Sequence, residues 1–251
     1  MRRNFKFRLF CFFMAKERAY NPILHKRLSV LIDAADWNAL LSFLDSLSHS
    51  SFRSVGSILS VHILPGLDED KYWDLFYELC RYNSKAFLVT FLKAAPARLS
   101  VGGFCLDHAG FQQVCAYWND CQCDIDKRKF FLYVFPLLTQ PEQAEVLIRS
   151  LAFQRAEDIL ELLLRCEMTV LGGFVLFQTL RQLEHEKELL CRCCVFLMKR
   201  GDNLSFNLVS FFKSYFDLSQ LKGTFSLHLS TYQLGYVERS FDAFANMLQS
   251  M

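Results

Sequence analysis

From Trp37 onward, apolar side chains return every third or fourth position, and small or polar residues cluster where that rhythm breaks. Trp37, Leu40, Leu41, Leu44 and Leu47 fall at helical spacing behind Asp36, whose carboxylate suits the free N–H groups of a helix start. Phe52, Val55, Leu59, His62 and Ile63 make the next stripe, and Pro65-Gly66 stops it. Ser54, Gly56, Ser57 and Ser60 in the same segment leave room for a neighbouring helix. Asp68 opens a helix carrying Trp73, Phe76, Leu79 and Cys80, with Asp68, Glu69 and Asp70 in the first turn, where the helix dipole favours acids. Asn83-Ser84 break it and start a further helix that Pro96 ends. Helical spacing resumes after Phe104, and again over residues 127–138 with a bend at Pro136. Thr139-Gln140-Pro141-Glu142 has the spacing of a capping box with proline at the helix start. Later helices run from Arg155, from Phe174 and from Glu186. The last ends on Lys199 and Arg200, cations at a helix C-terminus, with Gly201 beyond. Asp202-Asn203 start another helix, residues 217–229 fit a short strand or an extended segment, and Leu234, Val237, Phe241, Phe244 and Leu248 form a narrow helical seam.

Many helices of ten to seventeen residues with short connections predict an all-α fold: antiparallel helix pairs stacked as an irregular, α-solenoid-like array or a compact multi-helical one. Two similar stretches, LSVGGF at residues 99–104 and TVLGGF at 169–174, fit repeated helix joints. In that reading Gly102-Gly103 and Gly172-Gly173 reverse the chain or start a helix, and Phe104 and Phe174 plug the gap between helices. The pairing is loosely similar to HEAT-like and armadillo-like arrays, although the motifs of neither are present.

Composition agrees. Of 251 residues, 52% are apolar and 22% charged, with 26 Phe but only 10 Gly and 5 Pro, fewer turn-formers than an all-β chain normally uses. Charge divides the chain. Residues 1–28 hold eight Lys and Arg against Glu17 alone, a balance of +7 in a total of +2, so residues 29–251 carry −5. This predicts a basic N-terminal arm, 1–28, on a single all-helical domain, 29–251. Arg2, Arg3, Lys6 and Arg8 make the arm a candidate for nucleic acid or an anionic surface. The opening residues resemble a signal peptide, but the apolar run Leu9–Met14 is short, and MAKERAY reads as an alternative start at Met14. No run of 18 apolar residues occurs to suggest a spanning helix. Ten cysteines sit mostly among apolar neighbours, which suits buried free thiols in the reducing cytoplasm.

Chemistry-bearing patterns are sparse. Cys191 and Cys194 have C-x-x-C spacing, Cys121 and Cys123 flank Gln122 in a polar loop, and Cys105 and His108 are one helical turn apart. These six are the candidates for a zinc site. His185-Glu186 begins a metalloprotease motif, but Leu189 stands where its second histidine belongs. Neither G-x-S-x-G nor a phosphate-binding glycine loop is present. The histidines at 25, 49, 62, 108, 185 and 228 read as dispersed structural or surface groups. Lys127-Arg128-Lys129 reads as a solvated first turn, with Phe130, Phe131, Val134 and Leu138 entering the core. The expectation is a non-enzymatic helical scaffold that binds a protein or peptide, with no cofactor. The alternatives are a nucleic-acid-associated protein using the basic arm, and a zinc protein or enzyme built from dispersed Cys and His.

Overall fold

A computed structural model describes residues 20–100, 105–154, 156–167, 169–182, 186–200 and 202–212. These residues form an all-α, multi-helical array with no strand among them. The chain divides into two compact units, Met1–Phe130 and Phe131–Met251, where the sequence reading drew one domain from 29 onward. Among the described residues no helix is long and apolar enough to cross a membrane. The basic residues 1–19, the 217–229 segment and the seam from Leu234 to Leu248 lie outside the described residues.

In the first unit, α1 (Pro22–Asp33) has proline in its first turn, and the Asn21 side chain accepts from Leu24 N at 3.0 Å. Residues 22–28 of the expected arm are therefore helical, with Leu24, Leu28 and Ile32 buried. The connection turns at Ala35, whose φ of 51° is a left-handed value unusual for alanine. Asp36 then caps α2 (Trp37–Ser46) as expected, accepting from Ala39 N at 3.0 Å. Ser48 caps α3 (His49–Ile58), which widens into a π turn over Leu59–Ile63 and tightens to a 3-10 turn at Leu64–Gly66. The π turn moves His62 off the expected apolar stripe: Val55, Leu59 and Ile63 are buried, but His62 is exposed.

The helix α4 (Glu69–Ser100) starts at Asp68, which accepts from Lys71 N at 2.8 Å. Its backbone breaks at Asn83 (φ −160°, ψ 84°), and the Asn83 side chain accepts from Ala86 N at 3.1 Å, so two helices meet there as the sequence indicated. Pro96 does not end the second. It sits on the exposed side while Ala94, Ala95 and Arg98 stay buried, and the helix continues to Ser100 at the loss of one backbone bond. Helix α5 (Ala109–Asp120) packs on α4, and α6 (Asp124–Val134) follows after a short turn.

Aromatic rings fill the space between these helices. Phe76 stacks on Phe91 with centroids 4.2 Å apart, Trp73 meets Phe111 at 5.1 Å, and Phe111 stacks on Phe130 at 5.5 Å. Burying each ring stabilises by on the order of 2–3 kcal/mol, and each well-placed pair by about 1 kcal/mol more. Two small residues permit the approach. A methyl on Gly56 would lie 3.0 Å from Thr90 Oγ1, and one on Gly110 would lie 2.3 Å from Trp73 Cβ. The joint Gly102-Gly103-Phe104 is outside the described residues.

In the second unit, Phe131, Val134, Phe135 and Leu138 are buried, and the chain bends through a 3-10 turn, Phe135–Leu137, at Pro136. Helix α7 (Pro141–Leu151) starts at Gln140 with no side-chain cap, so the capping box expected of Thr139 does not form. Helices α8 (Ala156–Arg165), α9 (Val170–Gln182), α10 (Lys187–Arg200) and α11 (Asn203–Phe212) follow with buried leucines; α9 packs on α8 and α11, and α10 on α11 and α8. Gly172 and Gly173 lie in the first turn of α9, where Thr169 Oγ1 accepts from Gly172 N at 3.0 Å. Because α9 turns Leu171, Leu176 and Leu180 inward, Phe174 points outward, 46% exposed, and plugs nothing.

Arg200 does more than face its own helix dipole. Its Nη1 donates to the carbonyls of Leu164 (2.7 Å) and Cys166 (2.6 Å), which the end of α8 leaves open. Its Nε donates to Asp202, whose carboxylate caps α11 by accepting from Ser205 N at 2.9 Å.

Gly110→Ala is expected to lower the unfolding free energy by about 2–3 kcal/mol, read as a lower urea midpoint. Gly66→Ala, with nothing within 4 Å of the new methyl, should change it by no more than ~0.5 kcal/mol. Burial works against the Asp202 carboxylate, but the Ser205 amide and hydroxyl together with Arg200 outweigh it and hold its pKa below the ordinary 3.8. A group with a depressed folded pKa stabilises the fold above its unfolded pKa, and that contribution fades as the pH falls through the folded value. Stability should therefore drop below about pH 4, and Asp202→Asn should flatten this part of the pH profile of the urea midpoint.

Candidate functional site

The six candidate metal ligands take different places. Cys105 is exposed and outside any helix, and His108 is the N-cap of α5, so the two do not share a helix face as expected. His108 Nδ1 accepts from Gly110 N at 3.0 Å, while Nε2 lies 2.9 Å from Asp70 Oδ1. Cys121 and Cys123 do flank a turn. Gln122 there has φ 52°, and Cys123 N and Gln122 N bond back to Trp118 O (2.9 Å) and Asn119 O (3.2 Å), the double closure that ends many helices. Cys194 is buried in α10, and the side chain of Cys191 lies outside the described residues. Among the described residues no three or more His, Cys, Asp or Glu gather as ligands.

Several thiols are held protonated. Burial pushes Cys115 and Cys166 up to about 12, against the opposing pull of Lys127 and Arg200 respectively. Burial, followed by the Asp126 carboxylate, also raises Cys80 and Cys123. Such thiols are poor nucleophiles and poor ligands at neutral pH. Lys127 corrects another expectation. It is 5% exposed, not solvated, because its ammonium donates to Asn119 Oδ1 at 3.2 Å and pairs with Asp124 at 3.2 Å across the Cys121–Cys123 turn. With Phe130 buried too, residues 127–130 offer no stacking platform for a base.

A polar cluster surrounds Glu69. Its Oε1 accepts from Trp73 Nε1 at 2.6 Å and from Cys105 N at 3.0 Å, and its Oε2 pairs with Arg98 at 2.7 Å. Arg98 is buried, donates to the Leu67 carbonyl and lies 4.7 Å above the Tyr72 ring. Burial, against the pull of Arg98, holds the Tyr72 phenol far above its usual pKa. A carboxylate receiving an indole, an amide and a guanidinium is committed to holding chain segments together, with little capacity left for proton transfer.

The surface around α1 is different. Ile23 is 81% exposed and Val30 57% exposed, one on each side of the cations Lys26 and Arg27. Pro22, Ile23, Lys26, Arg27, Val30 and Leu31 line a trough of about 670 Å³. A second trough of about 330 Å³ shares Ile23 and Arg27 and reaches Phe43 of α2, Leu47 just beyond its end and Ser51 of α3. The Arg27 guanidinium lies 5.5 Å from the centre of the Phe43 ring. Sequence reasoning missed this surface because it counted residues 22–28 as part of a charged arm. The seven-residue separation of Ile23 and Val30 was the available signal.

No family model matches the chain, and no curated protein or solved structure matches it.

Removing Glu69 leaves Arg98 buried beside a missing partner, so Glu69→Ala should destabilise by roughly 3–5 kcal/mol in urea unfolding. The double replacement Glu69→Leu with Arg98→Met, which removes both charges, should recover much of that loss.

Proposed function

We propose that the chain is a non-enzymatic helical scaffold, working in the cytoplasm, that binds a protein or peptide along α1. The observation carrying this reading is the pair of adjoining troughs around Ile23 and Arg27, apolar in lining and flanked by two cations. Exposed aliphatic side chains about two helical turns apart suit the apolar face of an incoming amphipathic helix, and Lys26 and Arg27 favour acidic residues on its rim. The polar clusters support the same reading: the Glu69 carboxylate is occupied by structural donors, and buried thiols are held protonated.

A second reading, nucleic-acid binding through Arg2, Arg3, Lys6 and Arg8, draws on the +7 charge of residues 1–28. Selecting displayed peptides on the immobilised full chain distinguishes the two. The first reading expects enrichment of helical peptides with apolar anchors and flanking Asp or Glu. Their affinity should fall at least about tenfold (~1.4 kcal/mol) for the variant Ile23→Glu with Val30→Glu. It is overturned if no such peptide is enriched or if the variant binds them unchanged. Mixed-sequence oligonucleotides that bind both proteins equally, with affinity falling steeply in salt, would favour the second reading.

A further inference from the structure

The fold brings together two of the histidines that the sequence presents as dispersed. His25 lies in α1 and His62 in the π turn that follows α3, yet their ring centroids are 5.6 Å apart and tilted by 42°. Tyr20, just before α1, completes the group: its ring is 5.6 Å from that of His25 and 5.0 Å from that of His62. Its hydroxyl lies 2.5 Å from His25 Nδ1. From this geometry we infer a binding site for one divalent transition-metal ion, of the zinc class, held by the imidazoles of His25 and His62.

Three observations carry the assignment. The first is distance. Two imidazoles bound to one ion through bonds of about 2.0–2.1 Å, at a tetrahedral angle, have ring centres roughly 5 Å apart. The separation of 5.6 Å needs only a small side-chain adjustment to reach this. The second is the division of nitrogens on His25. The phenol of Tyr20 engages Nδ1, which leaves Nε2 as the ligating atom. Ligation there puts the ring proton on Nδ1, which then donates to the Tyr20 oxygen. This is the outer hydrogen bond that metal-bound histidines usually make, and it fixes both tautomer and ring orientation.

The third is the π turn. Its wider closure, Leu64 N to Leu59 O, keeps Leu59, Ile63 and Leu64 buried while rotating His62 outward toward His25. Regular α geometry would have kept His62 on the apolar stripe that the sequence predicts. Such turns are rare and often lie at functional positions. Two nitrogen ligands leave coordination positions for water or for a group from a partner. The ion would therefore be bound reversibly, joining the start of α1 to the exit of α3, and imidazole ligands suit zinc, copper and nickel.

Titration of the full chain with Zn²⁺, followed through the imidazole C–H resonances of the protein, tests the site. His25 and His62 are expected to shift together with one apparent affinity. His62→Gln should weaken the His25 response, and His25→Gln the His62 response, each by at least about tenfold, while Tyr20→Phe should weaken binding by ~10-fold without abolishing it. His49→Gln, an exposed histidine of α3, should leave the response unchanged. The site is overturned if neither resonance moves, or if each shifts independently when the other histidine is replaced.

Discussion

The contact that the first unit depends on is the meeting of α4 and α5 at Trp73 and Gly110. Trp73 Cβ lies so near residue 110 that a methyl there would sit 2.3 Å from it, and the two helices approach this closely because Gly110 has no side chain. With the two helices this close, Trp73 reaches Phe111, and through Phe76 and Phe130 a continuous series of rings extends from α4 into α6. The hydrophobic drive is not directional, but ring shape and quadrupole are. The stacked and edge-on pairs therefore select one arrangement of helices from the several that would bury similar area.

Helix ends supply a second kind of order. Asn21, Asp36, Ser48, Asp68, Asn83 and Asp202 each satisfy backbone donors locally. Glu69 and Arg200 reach further, joining segments more than thirty residues apart in the chain. Arg200 serves a helix end and a helix start at once: the open carbonyls of α8 and the capping carboxylate of α11 have opposite requirements, and a guanidinium meets both. These polar ties determine where each helix begins and stops, and the apolar stripes determine which face turns inward.

This division explains what could be read from the chain. Helical class and core were legible because they depend on spacing within a dozen residues. Leu40, Leu44, Trp73, Phe76, Leu79, Phe130 and Phe131 are all buried as their period requires. Asp36, Asp68, Asn83 and Asp202 cap where their position suggested. Contacts between distant residues were not legible. Nothing near Arg200 points to Leu164, nothing near Cys105 points to Glu69, and His25 and His62 meet only because a π turn shifts the register. The paired glycines stand out by their repetition, but among the described residues the glycines at close helix contacts include Gly56 and Gly110, both single and without a repeat. Pro96 leaves its helix intact for a related reason: a helix held by buried neighbours on both sides tolerates the loss of one hydrogen bond.

The Trp73–Gly110 contact also constrains how this sequence can diverge. A methyl group at 110 would fall 2.3 Å from Cβ of Trp73, an atom that every side chain larger than glycine's also has, so shortening residue 73 makes no room for it. A lineage that enlarges residue 110 must instead move α5 away from α4, which opens the ring contact between Trp73 and Phe111. Descendants should therefore keep glycine at 110 even where the side chain at 73 changes.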